Sequence, residues 1–180
     1  MPFRVLVRDK DKAAALKDLG AEIAVGDMED ADAVTKALAG VEKAVLIMSN
    51  GEHQAKIEKQ FTDCAVKAGV KHIVKLSSME SKPGTTKPIP SMHVASEEHI
   101  RASGLKWTMS RPPFFTQNFL GSARTIKADD KSTLALGKAV VAPTDLRDVA
   151  EVIRLVLTDD AHANQSYDLT GPEALSLSQV

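Results

Sequence analysis

The segment Ala68-Gly-Val-Lys-His-Ile-Val-Lys-Leu-Ser-Ser78 contains the pattern that decides the fold. Before it, residues 54–68 place apolar side chains at helical spacing, which predicts an amphipathic helix that ends at Gly69. After Gly69, residues 71–76 form a short run with β-branched side chains, which predicts a strand. Ser77 and Ser78 follow directly. A helix, a glycine, a strand and polar residues at the strand end are typical of one unit of an α/β protein.

The same alternation of strand and helix extends along the whole chain. Further strands are predicted at residues 3–7, 21–25, 44–48, 106–110, 138–142 and 166–169. Further helices are predicted to begin at Asp9 or Asp11, Asp30, Ser91 and Asp145 or Asp148, with a helical stretch ending near Lys127. Residues 80–90, with three prolines and a glycine, are predicted as a loop. The alternation predicts a mostly parallel, doubly wound sheet with helices on both faces.

Composition excludes several classes of protein. The 180 residues include 23 Lys and Arg against 24 Asp and Glu, and this balance argues against a nucleic-acid partner and a polybasic membrane anchor. Cys64 is the single cysteine, which excludes an intramolecular disulfide framework. The longest apolar run, residues 44–48, is far too short to span a membrane, and no signal peptide precedes it. We therefore expect a cytoplasmic protein with no membrane or nucleic-acid partner.

In parallel sheets, ligands bind outside the carboxyl ends of the strands, so the residues just after each predicted strand are the candidates for a site. Arg8 could bind the 2′-phosphate of NADP or stack on adenine, or it is a solvated charge. Asp27 could accept a hydrogen bond from the adenine amino group, or it caps the next helix. Ser77 could meet a ribose or a reacting carbonyl, or it is a turn residue. Met28, Met48 and Ser49 occupy equivalent positions after the second and third strands.

The usual phosphate-binding loop is absent from these residues. No two of the ten glycines are two positions apart, so the chain contains neither Gly-x-Gly-x-x-Gly nor a Walker loop. A dinucleotide pyrophosphate therefore lacks its usual position at a helix N-terminus. The histidine spacing predicts no zinc site, and no Gly-x-Ser-x-Gly motif indicates a hydrolase.

Taken in order, six segments resemble the NmrA-like family of atypical short-chain dehydrogenase/reductases. They are residues 5–9, 20–27, 38–45, 68–78, 103–115 and 167–174. The resemblance implies a three-layer, Rossmann-like α/β fold that binds NADP or NAD. It also implies an NAD(P)H-dependent oxidoreductase that transfers hydride to a quinone or another small carbonyl substrate. Two alternatives stay open: a non-catalytic module that senses NAD(P), and a fragment with no cofactor binding.

The resemblance also suggests roles for individual residues. Pro113 and Phe114 lie in a segment similar to the one that walls the nicotinamide in the family. His93 stands where short-chain dehydrogenases carry their tyrosine, and Glu97 stands where they carry their lysine. His93 is therefore the candidate catalytic residue, with Glu97 on the same helix face able to raise its pKa. The alternative is a helix-start histidine with an ordinary partner four residues on.

The chain departs from the family pattern at both ends. The family opens with a strand and a glycine-rich loop ahead of the segment matched by residues 5–9, and it continues beyond residue 174 into a smaller lobe. We expect residues 1–180 to form a single cofactor-binding domain that lacks the first strand of the usual fold. Removing that strand would leave a gap of about 10 Å in the sheet. The halves would close up, or another chain would fill the gap, or the fold would be marginal; our hypothesis is a homo-oligomer that pairs the open edges.

Overall fold

The computed structural model describes residues 2–129, 140–176 and 179. Its strands are β1 (Arg4–Val7), β2 (Glu22–Val25), β3 (Lys43–Leu46), β4 (His72–Leu76), β5 (Lys106–Arg111), β6 (Val140–Val141), β7 (Gln165–Asp168) and β8 (Leu175–Ser176). Its α-helices are α1 (Ala14–Asp18), α2 (Ala31–Leu38), α3 (Gln54–Ala68), α4 (Pro88–Ala102), α5 (Ala123–Asp129) and α6 (Leu146–Thr158). Short 3₁₀ segments cover Asp11–Ala13, Thr116–Ser122 and Asp160–His162. Part of the predicted strand at 138–142 lies outside the described residues.

The central sheet is parallel, with strand order β3-β4-β5-β7. Val45 pairs with Val74, and Val74 in turn pairs with Thr108. β1 and β2 form a separate parallel pair, and β6 and β8 form a short antiparallel pair. Among the described residues, β1 has no strand partner except β2, and β3 has none except β4. The two halves of the sheet are therefore not hydrogen-bonded to each other among the described residues.

Helices cover both faces of the central sheet, as predicted. Lys75 of β4 reaches Glu58 of α3 on one face, where α2, α3 and α4 lie side by side. His72, on the alternate face of β4, bonds Thr108, whose hydroxyl donates to the backbone of His162 just after α6. The fold is thus the expected three-layer α/β arrangement. Within the described ranges, no helix combines the length and apolar character needed to cross a membrane.

The main core lies between the sheet and the face formed by α2, α3 and α4. Its buried members are Val34, Leu38, Ala44, Leu46, Phe61, Cys64, Ala65, Val70, Ile73, Ile100 and Met109. β3 is not fully covered on the face opposite this core. Val45 is 36% exposed and Ile47, just after the strand, is 59% exposed. On this face α6 meets β3 at Lys43, which donates to the Leu157 carbonyl over 2.8 Å, and it leaves Val45 and Ile47 partly exposed.

Local chemistry explains where the helices begin and end. The Asp30 carboxylate accepts two backbone N–H bonds at the start of α2, and Gly69 ends α3 in the left-handed region with φ of 79°. The predicted start of α4 at Ser91 is wrong, because the helix begins at Pro88. Proline suits the first helical turn, where its missing N–H has no partner to lose. The Ser91 hydroxyl donates to the Pro88 carbonyl instead of capping the helix.

Candidate functional site

The carboxyl ends of β3, β4, β5 and β7 lie along one edge of the central sheet because these strands are parallel. Backbone hydrogen bonds between neighbouring segments continue past the strand ends and hold the residues along this edge in place. The Ser77 N–H donates to the Ser110 carbonyl over 2.7 Å, and the Met79 N–H donates to the Pro112 carbonyl over 3.0 Å. The residues after β4 are therefore held next to those after β5, and the edge brings Ser77 close to the segment that contains Pro113 and Phe114.

Arg8, Asp27 and Met28 follow β1 and β2, in the two-stranded part of the sheet. Arg8 is exposed, and its guanidinium has no hydrogen bond or ion pair with the described residues. The alternative role of Asp27, as the cap of α2, is wrong, because Asp30 caps that helix. The Asp27 carboxylate instead accepts the Glu29 N–H over 3.0 Å in a local turn. Met28 is half-buried and packs against the core. Of these three residues, Arg8 is thus the one whose positive charge is available to bind an anionic ligand.

Met48, Ser49, Pro113 and Phe114 follow β3 and β5. Met48, Pro113 and Phe114 are half-buried, and Ser49 is exposed. The Phe114 ring meets the Phe119 ring edge-on, with centroids 5.3 Å apart. The segment after β5 therefore offers a partly apolar surface at the edge of the central sheet. Such a surface suits the packing of a nicotinamide ring.

Ser77 is buried at the end of β4, where its hydroxyl donates to Glu97 Oε1 over 2.6 Å. The same Glu97 carboxylate accepts from Arg111 Nε over 2.9 Å and from Arg101 Nη2 over 2.8 Å, and Arg111 Nη2 donates to its second oxygen. Burial acts to raise the pKa of Glu97. The hydrogen bonds from Arg111, Ser77 and Arg101, with the charge of Arg111, outweigh it and leave the pKa below its ordinary value.

His93 is 5% exposed and lies in the first half of α4. Its ring nitrogens are 3.2 and 3.3 Å from Gln54 Nε2. Burial, and then the positive charge of Lys75, lowers the pKa of His93 to about 4. The charge of Glu97 does act to raise this pKa, as expected, but burial and the charge of Lys75 outweigh it and the net shift is downward. Burial and the charge of Lys75 thus both favour the neutral imidazole of His93.

A buried ion pair that the sequence analysis missed lies beside His93. Lys75 Nζ is 2.6 Å from Glu58 Oε1, and both side chains are 0% exposed. Gln54 Nε2 approaches the same Glu58 oxygen at 3.4 Å. Burial lowers the pKa of Lys75, while the charge and hydrogen bond of Glu58 act in the opposite direction. A lysine in the middle of an apolar strand was the signal available in the sequence.

A cavity of about 390 Å³ lies beyond the ends of β5 and β7. Its lining consists of Thr116, Pro143, Thr144, Asp145, Asp148, Val152, Asp168, Leu169, Thr170, Gly171 and Pro172. None of the predicted site residues lines it. Within the residues that the structure describes, no group of three or more His, Cys, Asp or Glu is arranged to hold a metal ion. The predicted residues that follow strands therefore lie at the carboxyl ends of two separate parallel sheets, outside this cavity.

Comparison with known proteins is decisive for the family. A family model described as NAD(P)H-binding matches residues 1–160. The chain belongs to this family. An NAD(P)H azoreductase from Xenophilus azovorans is 34% identical over 180 residues, which are 100% of this chain and 63% of the relative. Quinone oxidoreductase 2 from Escherichia coli K12 is 30% identical over 178 residues, which are 97% of this chain and 61% of the relative.

The same fold is found in a solved structure of an NADPH-dependent quinone oxidoreductase from Escherichia coli, complexed with NADPH. Its TM-score is 0.87 at 29% identity, over 98% of this chain and 62% of that one. The NmrA-like resemblance, the Rossmann-like fold and the NAD(P) cofactor class of the NAD(P)H-binding family are thereby confirmed. The chain spans less than two thirds of the length of these relatives.

Proposed function

We propose that this chain is the cofactor-binding part of an NAD(P)H-dependent oxidoreductase that reduces a quinone or a similar small carbonyl acceptor. The similarity to the azoreductase and to the NADPH-bound quinone oxidoreductase, along nearly the whole chain, carries the proposal. The exposed Arg8 guanidinium after β1 and the partly apolar segment after β5 support it, because a 2′-phosphate binds a cation and a nicotinamide ring packs on apolar side chains.

The residues present fit most of an NADPH molecule. We assign Arg8 to the 2′-phosphate, because its exposed guanidinium is free to form a bidentate pair and is always charged. Asp27 and Met28 would contact the adenine, and Met48 and Ser49 would lie along the cofactor. Ser77, Pro113 and Phe114 would border the nicotinamide. The pyrophosphate has no glycine-rich loop among these 180 residues, so its contacts lie outside this assignment.

The cofactor supplies a hydride, and the protein supplies binding, orientation and exclusion of water. Reduction of a quinone takes one hydride from NADPH and one proton, and it yields the hydroquinone and NADP⁺. The imidazolium of His93 is not available at neutral pH, because its pKa is about 4. We propose that His93 contributes as a neutral imidazole at the edge of the site and that the proton comes from water.

The test of this function is oxidation of NADPH in the presence of a benzoquinone, followed by absorbance at the NADPH band. We expect turnover by the wild type and a raised KM for NADPH in Arg8→Ala. The matched control is Lys10→Ala, which removes a nearby exposed cation two residues on. Binding of NADPH with no turnover of quinone or azo acceptors would contradict the enzyme and would favour a sensor of NAD(P).

We also propose that the chain forms a single domain that assembles as a homo-oligomer in the cytoplasm, with small molecules as its substrates. β1 and β3 each have an edge with no strand partner among residues 2–129 and 140–176, and this supports assembly, because open edges favour pairing with another chain. The balanced charge and single cysteine favour the cytoplasm. Light scattering at micromolar concentration tests the homo-oligomer, and a monomer contradicts it.

A single cooperative unfolding transition tests the proposal that the chain forms one domain. Cell fractionation tests the proposed location in the cytoplasm.

A further inference from the structure

One carboxylate joins three elements at the edge of the sheet that would face the nicotinamide. Glu97 belongs to α4, and it accepts hydrogen bonds from Ser77 at the end of β4 and from Arg111 at the end of β5. Arg101, one turn further along α4, donates to it as well. Arg111 is anchored on its other side by Asp168 of β7, at 3.7 Å. Glu97 is 1% exposed, so these protein donors take the place of water around it.

The direction of the bond from Ser77 decides what its hydroxyl can offer. A serine hydroxyl has one proton and two acceptor lone pairs. A carboxylate held by two guanidinium groups stays ionised and can only accept, so the Ser77 proton is committed to Glu97. Ser77 can then meet a ligand only as a hydrogen-bond acceptor. A reacting carbonyl has no proton to donate, so this orientation argues against a bond from Ser77 to that group.

The surroundings of Ser77 keep this orientation fixed. The residue is 6% exposed and its backbone N–H is bonded to the Ser110 carbonyl, so neither the main chain nor the hydroxyl turns freely. We propose that Glu97 is a positioning residue for the nicotinamide half of the cofactor: it holds the Ser77 hydroxyl as an acceptor for a ribose hydroxyl or the carboxamide NH₂. This inference rests on the proposed function, and it adds a residue to the nicotinamide end of that site.

Two ligands separate the two ends of the cofactor. NADPH would touch both Arg8 and Ser77, whereas adenosine 2′,5′-bisphosphate contains only the adenosine end. Calorimetric titration of both into Glu97→Gln tests the inference, because an amide can donate a proton to the Ser77 oxygen and compete for its acceptor role. We expect about a 3- to 10-fold loss of NADPH affinity, the range of one hydrogen bond. Affinity for the bisphosphate should stay within about twofold of wild type.

The matched control is Glu98→Gln, the exposed neighbour on the same helix, which should change neither affinity. In a Ser77→Ala background, Glu97→Gln should cause no further loss of NADPH affinity, because the hydroxyl that it positions is gone. Ser77→Ala alone keeps the Glu97–Arg111 pair, so it also serves if Glu97→Gln fails to fold. It too should weaken NADPH and leave the bisphosphate unchanged.

The possible outcomes differ clearly. Equal weakening of both ligands by Glu97→Gln would show a general structural role and would overturn the inference. No weakening of NADPH by either Glu97→Gln or Ser77→Ala would overturn it as well. If the wild type binds neither ligand, the proposed function fails and the inference falls with it. If the wild type binds both ligands and the variants act non-selectively, the inference alone fails.

Discussion

The buried pair of Lys75 and Glu58 leads to a sharp prediction about stability. In Lys75→Met the ammonium is replaced by an apolar side chain of similar length, and the Glu58 carboxylate is left in the core without its counter-ion. Both side chains are 0% exposed, so water cannot take the place of the lost partner. We expect a large loss of stability, because an uncompensated charge in the interior is among the most unfavourable features that a single substitution can create.

The expected magnitude follows from the burial and the distance. The two groups are 2.6 Å apart, and Glu58 Oε2 already has no hydrogen-bond partner among the described residues. Breaking such a pair by removing one member costs about 3–5 kcal/mol. For a chain of this size each kcal/mol lowers Tm by about 2–4 °C. The predicted fall in Tm is therefore roughly 6–20 °C, well outside experimental error.

Urea unfolding followed by circular dichroism measures the effect, with Lys71→Met as the matched control. Lys71 lies just before the same strand and is exposed, so its replacement should change stability by less than about 0.5 kcal/mol. The double variant Glu58→Leu with Lys75→Met should recover most of the loss, because it removes both charges together.

Two results would refute this reasoning. One is a loss in Lys75→Met that is no larger than the loss in Lys71→Met. The other is a double variant less stable than Lys75→Met, which would show that the unpaired carboxylate is not the source of the cost. A second readout comes from His93, whose pKa is lowered first by burial and next by the charge of Lys75. NMR titration should find this pKa higher in Lys75→Met than in the wild type.

Further predictions concern His93, Asp30 and Gly69. The folded pKa of His93, about 4, lies below its ordinary value of 6.5, so the unfolded chain binds a proton that the folded chain does not, and stability should fall as pH drops from 6.5 to about 4. His93→Gln should flatten the dependence of Tm on pH in this window, and a profile identical to that of wild type contradicts the assignment. The same variant should lose less than about tenfold in kcat, because general acid catalysis by the imidazolium, worth about 10²–10⁴, is not in use. Asp30→Ala should lower the free energy of unfolding by about 1 kcal/mol, since two N–H groups lose their cap; an unchanged urea midpoint would count against this. Gly69→Ala should cost roughly 1–2 kcal/mol from the left-handed backbone alone, as an added Cβ meets no atom within 4 Å.

The order of helices and strands could be predicted from the sequence because each element is specified by residues within or next to its own segment. The bounds of α3 were predicted correctly, since its apolar spacing and the left-handed Gly69 both lie within the segment itself. The start of α4 was misplaced because the prolines before Ser91 indicate a loop in the sequence, whereas in the structure Pro88 occupies the first helical turn. Proline is compatible with both, and local sequence does not distinguish them.

The polar contacts of the site could not be predicted in the same way. The spacing of His93 and Glu97 correctly places them on one helix, but their partners come from other elements. Glu97 binds Arg111, 14 residues away, and His93 lies against Gln54, 39 residues away. Which partner a buried carboxylate selects depends on how the helices pack on the sheet. The spacing alone therefore predicted that Glu97 acts to raise the pKa of His93, but not the larger, opposite effects of burial and Lys75.

The central claim is that this chain binds NADPH at the carboxyl ends of its parallel strands. Calorimetric titration of NADPH and NADH into the wild type and into Arg8→Ala tests it most directly. We predict micromolar binding, with NADPH bound more tightly than NADH. Arg8→Ala should weaken NADPH by roughly 10- to 100-fold, the range for a hydrogen bond to a charged group, and leave NADH unchanged. No binding of either nucleotide up to millimolar concentration, or equal loss of both in Arg8→Ala, would contradict the account.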